Sequence, residues 1–275
     1  MVGLSLVTSC GPRVDGGPDA DAEPAVAPIR VPLWANPGKV GHASRFAWTW
    51  EDPAVLTPFR KAEGLDDVVA GAGSDEERAR RLVTWARRQF EPGRPDPYPP
   101  PDAERMLAQI RGGITEGFCA QYCFLVVQAL QAFGIPARNV TVKNHEVLET
   151  WLRDERRRVM LDPLNELQVE DGARRSLSVL EIWQTLDAGR SPRLRGGELE
   201  LQLDTDEATY LARFRRAGVW LHAAFTTRPV NFTDFRRYRA WYRPESGGLR
   251  VPEKELSTPH AMDLWSPPAA RTEIR

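Results

Sequence analysis

Between residues 74 and 216 the chain shows helical periodicity, in segments separated by turn residues. Apolar residues recur three and four positions apart, and the runs begin at capping residues or end at glycine or proline. Ser74 with Glu77 is a capping box, as is Ser178 with Glu181. The predicted helices are 74–90, 102–111, 119–134, 178–186 and 206–216. Because 119–134 is apolar on nearly every side, we expect it to be the central buried helix.

The segment after this central helix has the alternation of a β-sheet. The predicted strands are 137–143, 145–154 and 159–162, with a weaker candidate at 219–225. A charged turn separates the second strand from the third and favours antiparallel pairing. Helices followed by an antiparallel sheet predict an α+β fold.

The N-terminal segments have a different character. Residues 1–10 form a short apolar run that ends at Cys10 and resembles a truncated signal with a bacterial lipobox. Residues 11–42 are rich in Gly, Pro, Ala and Asp, a composition typical of a flexible tether. We therefore expect a single domain over 43–270, with an irregular lead-in at 43–65, held in the cell envelope by a lipid anchor at Cys10.

Charge balance and cysteine count limit the classes of function that the sequence supports. The 275 residues include 37 Lys and Arg against 38 Asp and Glu, and this balance gives no argument for a nucleic-acid or membrane-surface partner. The arginine-rich segment 213–243 is interpreted as a solvated basic face, or as one that meets an acidic polymer or partner, rather than as a nucleic-acid surface. Three cysteines do not make a disulfide framework. Cysteine use therefore points to chemistry or to burial.

One cysteine stands where a nucleophile would be favoured. Cys119 begins the central helix, and the unpaired N–H groups and dipole of a helix start stabilise a thiolate. A thiolate needs a general base across from it. His145 begins the second predicted strand after this helix and is the candidate for that base. Asp162 ends the following strand, and a hairpin would bring it beside His145 to orient the imidazole.

The same residues carry a family resemblance. GFCAQYCFLVVQALQAFGIPARNVTV, HEVLETWL and LDP resemble, in this order, the motifs of the bacterial transglutaminase-like superfamily over about 74–165. The resemblance implies a papain-like core in which the cysteine helix packs on an antiparallel sheet, and it leaves 166–270 as a C-terminal extension. It also implies Cys119 as nucleophile, His145 as base and Asp162 as orienting carboxylate.

The resemblance extends to further positions. Arg138 matches the arginine of the turn, and Glu149 and Trp151 match the acidic and aromatic positions of the histidine strand. Cys123 and Glu146 depart from the pattern, since small residues are more common at both positions. The implied activity is cysteine-based acyl transfer on a peptide or protein amide, by hydrolysis or by transamidation, with no cofactor or metal.

The roles of Cys123 and of the second oxyanion donor need separate treatment. Cys123 is expected to be an inert core residue, and Cys119, Cys123 and His145 together make a poor zinc site. The backbone N–H of Cys119 is an expected oxyanion donor, but Trp85, Gln109 and Glu116 are equal candidates for the second.

Two other function classes remain. Arg111-Gly112-Gly113 and Gly117-Phe118-Cys119 resemble parts of the arylamine acetyltransferase motif, although three residues interrupt it. That family also uses a Cys, His and Asp triad. The other alternative is a non-catalytic envelope binding module built on the same core.

Overall fold

The computed structural model describes residues 48–196, 206–226, 239–242, 256–259 and 261–265. Its helices in these ranges are α1 (Thr57–Ala62), α2 (Leu65–Val69), α3 (Asp75–Arg87), α4 (Ala103–Arg111), α5 (Cys119–Gln131), α6 (Val179–Asp187), α7 (Glu207–Ala212) and α8 (Met262–Trp265). A single 3₁₀ turn, Arg213–Arg215, follows α7. The segment that contains Cys10 and the tether lies outside the described residues, so the lipid anchor, the envelope location and the boundaries of the 43–270 domain stay predictions.

The described strands form one main sheet and two small ones. They are β1 (Thr49–Trp50), β2 (Ala137–Val142), β3 (His145–Leu152), β4 (Arg157–Leu161), β5 (Leu167–Glu170), β6 (Arg193–Gly196), β7 (Ala217–Trp220), β8 (His222–Ala223), β9 (Arg239–Tyr242) and β10 (Leu256–Thr258). The six-stranded sheet has the order β10-β9-β7-β2-β3-β4 and is antiparallel except for the β10–β9 pair. The fold is therefore α+β, as predicted.

Helix α5 lies at the centre of the core, as its composition predicts. Every residue of α5 except Ala120 is buried, and the helix packs against α3, β2 and β3. Helix α5 ends at Gln131, and the chain reverses at Gly134, whose φ of 67° is a left-handed conformation that favours glycine. The predicted end at Gly134 is thus three residues beyond the helix proper and marks the turn.

Two tight turns set the register of the sheet. Asn144, with φ of 55°, forms the second position of a two-residue turn, so that Val142 of β2 pairs with His145 of β3. A four-residue turn with Arg156 at φ of 53° then pairs Leu152 with Arg157. The strand order and the antiparallel pairing of β2, β3 and β4 are confirmed. His145 is the first residue of its strand because the turn before it is so short.

Three sequence-based expectations were wrong in detail. The lead-in 43–65 is not irregular throughout, since it contains α1, a six-residue helix too short to show a period. Helix 74–90 ends at Arg87. The predicted helix 206–216 is divided into α7 and the 3₁₀ turn. In this turn the carbonyl of Arg213 accepts a hydrogen bond from the N–H of Arg216 (3.2 Å) and another from the N–H of Lys143 (3.2 Å).

The solvated basic face expected at 213–243 was also partly wrong. Residues 217–225 are buried and supply β7 and β8, so this part of the segment belongs to the core. Residues 227–238 and 243 lie outside the described ranges. Among the described residues, no helix has the length and apolar character needed to cross a bilayer.

Candidate active site

The three predicted site residues stand at the ends of three elements that meet in the core. Cys119 is the first residue of α5, His145 is the first residue of β3, and Asp162 directly follows the last residue of β4. The β3–β4 pairing aligns Leu161 with Leu148, which carries Asp162 back toward the start of β3. Helix α5 packs on β3. The topology therefore brings Cys119, His145 and Asp162 together.

His145 and Asp162 form a buried pair. The Nε2 atom of His145 is 2.7 Å from Oδ2 of Asp162, and the two side chains are 1% and 0% exposed. This contact leaves Nδ1 as the ring nitrogen that can exchange a proton with a thiol. Nδ1 has no hydrogen-bond partner of good geometry among the described residues, yet Cys119 lies close enough to act on the protonation of the ring.

The carboxylate of Asp162 is held from both sides. Its Oδ1 accepts hydrogen bonds from the backbone N–H groups of Leu164 (3.1 Å) and Asn165 (3.3 Å). Its Oδ2 accepts a hydrogen bond from the Asn165 side chain (2.8 Å) and another from the Tyr210 hydroxyl (2.7 Å), besides the contact with His145. The turn after β4 and helix α7 thus fix the orientation of the carboxylate.

The electrostatics favour an imidazolium and a carboxylate. Burial alone would lower the pKa of His145, but the charge and hydrogen bond of Asp162 and the contact with Cys119 outweigh it and raise the pKa to about 10. Burial alone would raise the pKa of Asp162, but His145, Asn165 and Tyr210 hold it below its ordinary value. At neutral pH the pair is therefore charged.

Cys119 lies in a small apolar cluster at the mouth of α5. It is 2% exposed and packs with Tyr122 and Leu164, and the partly exposed rings of Phe90 and Phe118 pack against this cluster. Gly117 allows the close approach, because a Cβ at this position would collide with the Phe90 ring. The sequence Gly-Phe-Cys thus places the thiol under aromatic side chains rather than in open solvent.

The second cysteine of α5 has a different environment. Cys123 is fully buried, as predicted, and its Sγ donates a weak hydrogen bond to the carbonyl of Glu146 (3.4 Å). Burial, with further contributions from the charges of Glu146, Cys119 and Asp162, raises the pKa of the Cys123 thiol well above its ordinary value. A thiol held in this way is neutral and serves the core.

Two of the other family positions build a separate cluster. Arg138 and Glu149 are both fully buried and form an ion pair at 2.7 Å. Arg138 also donates to the Leu264 carbonyl (2.7 Å), and Glu149 accepts from the Trp265 indole (2.9 Å) and the backbone N–H of Val179 (2.8 Å). These two residues therefore connect the sheet to α6 and α8. The third family position, Trp151, is only partly buried and lies under the guanidinium of Arg158.

The structure selects none of the three side chains considered as a second oxyanion donor. Trp85 contacts Phe59 edge to face, Glu116 accepts from the backbone N–H of Arg94 (2.5 Å), and Gln109 makes no described contact with Cys119. Gln121, which sequence reasoning did not consider, is 1% exposed. Its Oε1 accepts from the backbone N–H of Phe118 (2.9 Å), and its Nε2 has no partner among the described residues.

An open groove of about 520 Å³ lies beside the start of α5. Phe90, which packs on the Cys119 cluster, also lines this groove, together with Ile110 and the 60% exposed Ile114. Its charged lining residues are Glu91, Arg94, Asp96 and Glu116. Phe90 thus belongs both to the wall of the groove and to the surroundings of the thiol.

Two residues around Asp162 were missed from the sequence. Asn165 could have been found, because Asp162-Pro163-Leu164-Asn165 is a turn sequence in which the first side chain accepts from the backbone that follows. No local pattern connects Tyr210 with a residue 48 positions earlier. Within the described part of the chain, no group of three or more His, Cys, Asp or Glu side chains is placed to hold a metal ion.

Comparison with known proteins gives one match. Residues 64–163 match the family model described as the Transglutaminase-like superfamily, a range that contains Cys119, His145 and Asp162. No curated protein and no solved structure matches the chain. Members of this superfamily generally carry out cysteine-based acyl transfer or peptide hydrolysis, and the α+β arrangement described above is consistent with their papain-like core. The match therefore identifies a domain of the transglutaminase-like superfamily at residues 64–163.

Proposed function

We propose that the protein is a cysteine-dependent acyltransferase or amidase that acts on a peptide or protein amide through Cys119, His145 and Asp162. The observation that carries the proposal is the buried arrangement of these residues. His145 is bound at Nε2 by Asp162 (2.7 Å) and has its other nitrogen available to the thiol at the start of α5. A buried acid and base beside a thiol is the arrangement that nucleophilic catalysis requires.

The proposed reaction has two steps. The Cys119 thiolate attacks the amide carbonyl and forms a tetrahedral intermediate, and the imidazolium of His145 gives its proton to the departing amine. The resulting thioester is attacked by water or by an amine, and neutral His145 accepts a proton from that nucleophile. Asp162 holds the ring in position and stabilises the imidazolium; it does not itself exchange a proton.

We further propose Gln121 as a donor to the oxyanion, beside the backbone N–H of Cys119. The bond from the Phe118 N–H fixes Oε1 and so identifies the other atom of the amide as Nε2. A buried N–H group without a partner costs about 1–3 kcal/mol, and donating a hydrogen bond to a substrate oxygen at the helix start would recover this cost. Gln121→Glu keeps the acceptor for Phe118 and removes the donor. A loss of about 10²–10³ in kcat would support the role, and unchanged kcat would contradict it.

The groove beside α5 is the proposed place for the chain that flanks the amide. Phe90 connects the groove to the thiol, and Ile110 and Ile114 give it an apolar wall. Because three of its four charged side chains are acidic, amides flanked by basic residues are the first substrates to test.

The test is intact-mass analysis after incubation with a peptide amide library, with and without an added primary amine. Free acid products alone would indicate hydrolysis, and amine-linked products would indicate transamidation. Cys119→Ala is expected to abolish both, whereas the matched Cys123→Ala variant is expected to retain activity. Equal behaviour of the wild type and Cys119→Ala would refute the proposal. Turnover of an acetyl donor with an arylamine, in place of amides, would favour the acetyltransferase alternative.

A further inference from the structure

One hydroxyl group outside the family-matched segment reaches the centre of the candidate site. Tyr210 of α7 is 1% exposed, and its hydroxyl donates to Oδ2 of Asp162 at 2.7 Å. The same oxygen lies 2.7 Å from Nε2 of His145. The Tyr210 ring also contacts the imidazole edge to face, with 6.1 Å between ring centres. Tyr210 therefore touches both members of the pair.

The segment that carries Tyr210 is hydrogen-bonded to the turn that precedes His145. The N–H of Lys143 donates to the carbonyl of Arg213 (3.2 Å), and the Arg213 guanidinium donates back to the carbonyl of Lys143 (2.7 Å). Phe214 is fully buried and packs on the Tyr210 ring. These contacts hold the hydroxyl at a fixed place relative to the β2–β3 turn.

The hydroxyl acts as a donor toward Asp162. Burial, together with the charge of Asp162, raises the pKa of Tyr210 well above its ordinary value, so the phenol keeps its proton. A donor to a carboxylate withdraws part of the negative charge that the carboxylate presents to its other partners. On Oδ2 those partners are His145 and the Asn165 side chain.

We propose that Tyr210 is a positioning residue that limits how strongly Asp162 holds the imidazolium proton of His145. The inference rests on the proposed acyl-transfer function and adds a regulator of its second step. Thioester formation uses the imidazolium, but attack on the thioester needs neutral His145 as base. A carboxylate that held the proton too strongly would slow this second step, and the tyrosine hydroxyl weakens that hold.

Other charged or titratable groups also face the ring. Cys119 acts on it from α5 and Asp162 from the end of β4. Glu146, the next residue on β3, is buried, and burial raises its pKa to about 7. Cys123 and Arg213 act on Tyr210 itself. Because Glu146 titrates near neutrality, the informative quantity is the difference between the pH profiles of two variants rather than a single profile.

The test compares Tyr210→Phe with the wild type, using p-nitrophenyl acetate as the acyl donor. Its leaving group needs no proton, so the burst reports thioester formation alone and the steady state reports hydrolysis of the thioester. Tyr242→Phe is the matched control, since Tyr242 contacts Trp183 and Trp265 and has no described contact with the pair. Iodoacetamide labelling of Cys119 against pH, read by peptide mass, monitors the thiol in parallel.

We expect the burst rate of Tyr210→Phe to stay within about twofold of the wild-type rate. Its steady-state rate of thioester hydrolysis should be about three- to tenfold lower than that of the wild type at pH 7. The pH at which the steady state reaches half its maximum should rise by about 0.5–1 unit, because tenfold in a proton equilibrium corresponds to one unit. Tyr242→Phe should match the wild type. Incorporation of 3-fluorotyrosine at 210, a stronger donor, should shift the steady-state profile in the opposite direction.

Two results would overturn the inference. One is a Tyr210→Phe profile identical to that of the wild type; the other is an equal fall in burst and steady state, which marks a purely structural role. If Tyr210→Phe fails to fold, the protein with 3-fluorotyrosine at position 210 provides the test. A steady-state pH profile equal to that of the wild type would then contradict the proposal. A wild type without a burst, in which Cys119 labels no faster than a free thiol, would instead refute the proposed function.

Discussion

Strand β3 carries two buried ion pairs with different partners and different consequences. Near its middle, Glu149 meets Arg138, and at its start His145 meets Asp162, each pair at 2.7 Å and almost fully buried. The guanidinium of Arg138 is a permanent charge, which suits a connection between the sheet, α6 and α8. The charge of the imidazole, by contrast, depends on a proton that the ring can gain or lose.

The difference shows that burial of a charged pair does not by itself mark a reactive site. Both pairs are hydrogen-bonded on several sides, which compensates for the cost of desolvation. Only the His145–Asp162 pair lies beside a thiol at a helix start, and only there does a ring nitrogen remain available. The neighbouring thiol and the exchangeable proton of His145 are therefore what single out this pair for the proposed reaction.

Among substitutions in the two pairs, the largest effect is expected from Asp162→Asn. The backbone N–H groups of Leu164 and Asn165 would hold the amide oxygen at the Oδ1 position, so the amide NH₂ would face Nε2 of His145 and favour the wrong tautomer. Activity on the substrate found by the amide screen should therefore fall on the order of 10³–10⁴. The matched variant of the other pair, Glu149→Gln, should keep its activity per folded molecule. Comparable activity losses in the two variants would remove the distinction between the pairs.

Arg138→Ala is expected to lower the free energy of unfolding by about 3–5 kcal/mol, because it leaves Glu149 buried without its charge partner. Urea unfolding measures this change. Arg175→Ala is the control, since Arg175 is 45% exposed and its ion pairs with Asp171 and Glu181 are expected to contribute about 0–1 kcal/mol. A change below about 1 kcal/mol for Arg138→Ala would show that the pair contributes little.

The two pairs should also differ in their response to pH. His145 has its pKa raised to about 10 in the folded protein from an ordinary value of 6.5. The stability gained from its proton is fully present below about pH 6.5 and is lost as the pH rises through about 10, at up to about 1.4 kcal/mol per pH unit.

Urea unfolding between pH 6 and 10 tests this, with His145→Ala as the comparison. The difference in unfolding free energy between the wild type and His145→Ala should shrink toward alkaline pH. The difference between the wild type and Arg138→Ala should stay nearly constant over the same range. A constant difference for His145→Ala would contradict the raised pKa.

The smallest effect is expected from Cys123→Ala. The substitution removes a buried sulfur and a weak hydrogen bond to Glu146, so the protein should lose about 1 kcal/mol of stability and keep its activity. Thermal unfolding and the amide assay measure the two quantities. A loss of activity comparable to that of Cys119→Ala would mean that both thiols of α5 take part.

The sequence alone determined the main elements and the three residues of the candidate site. These elements depend on residues that are close together in the sequence, so a local pattern can predict them. Examples are the capping boxes, the apolar run of α5 and the short turn before His145. The motif order from Cys119 to Asp162 likewise lies within one continuous segment, which residues 64–163 contain.

Only the tertiary structure decided which groups surround these residues. Tyr210 meets Asp162 from a helix far along the chain, and Leu264 and Trp265 complete the Arg138–Glu149 cluster. The buried Nε2 of Gln121 has no partner within the described part of the chain. These contacts depend on how separate elements pack, and sequence periodicity records which face of an element is buried but not which side chain it meets.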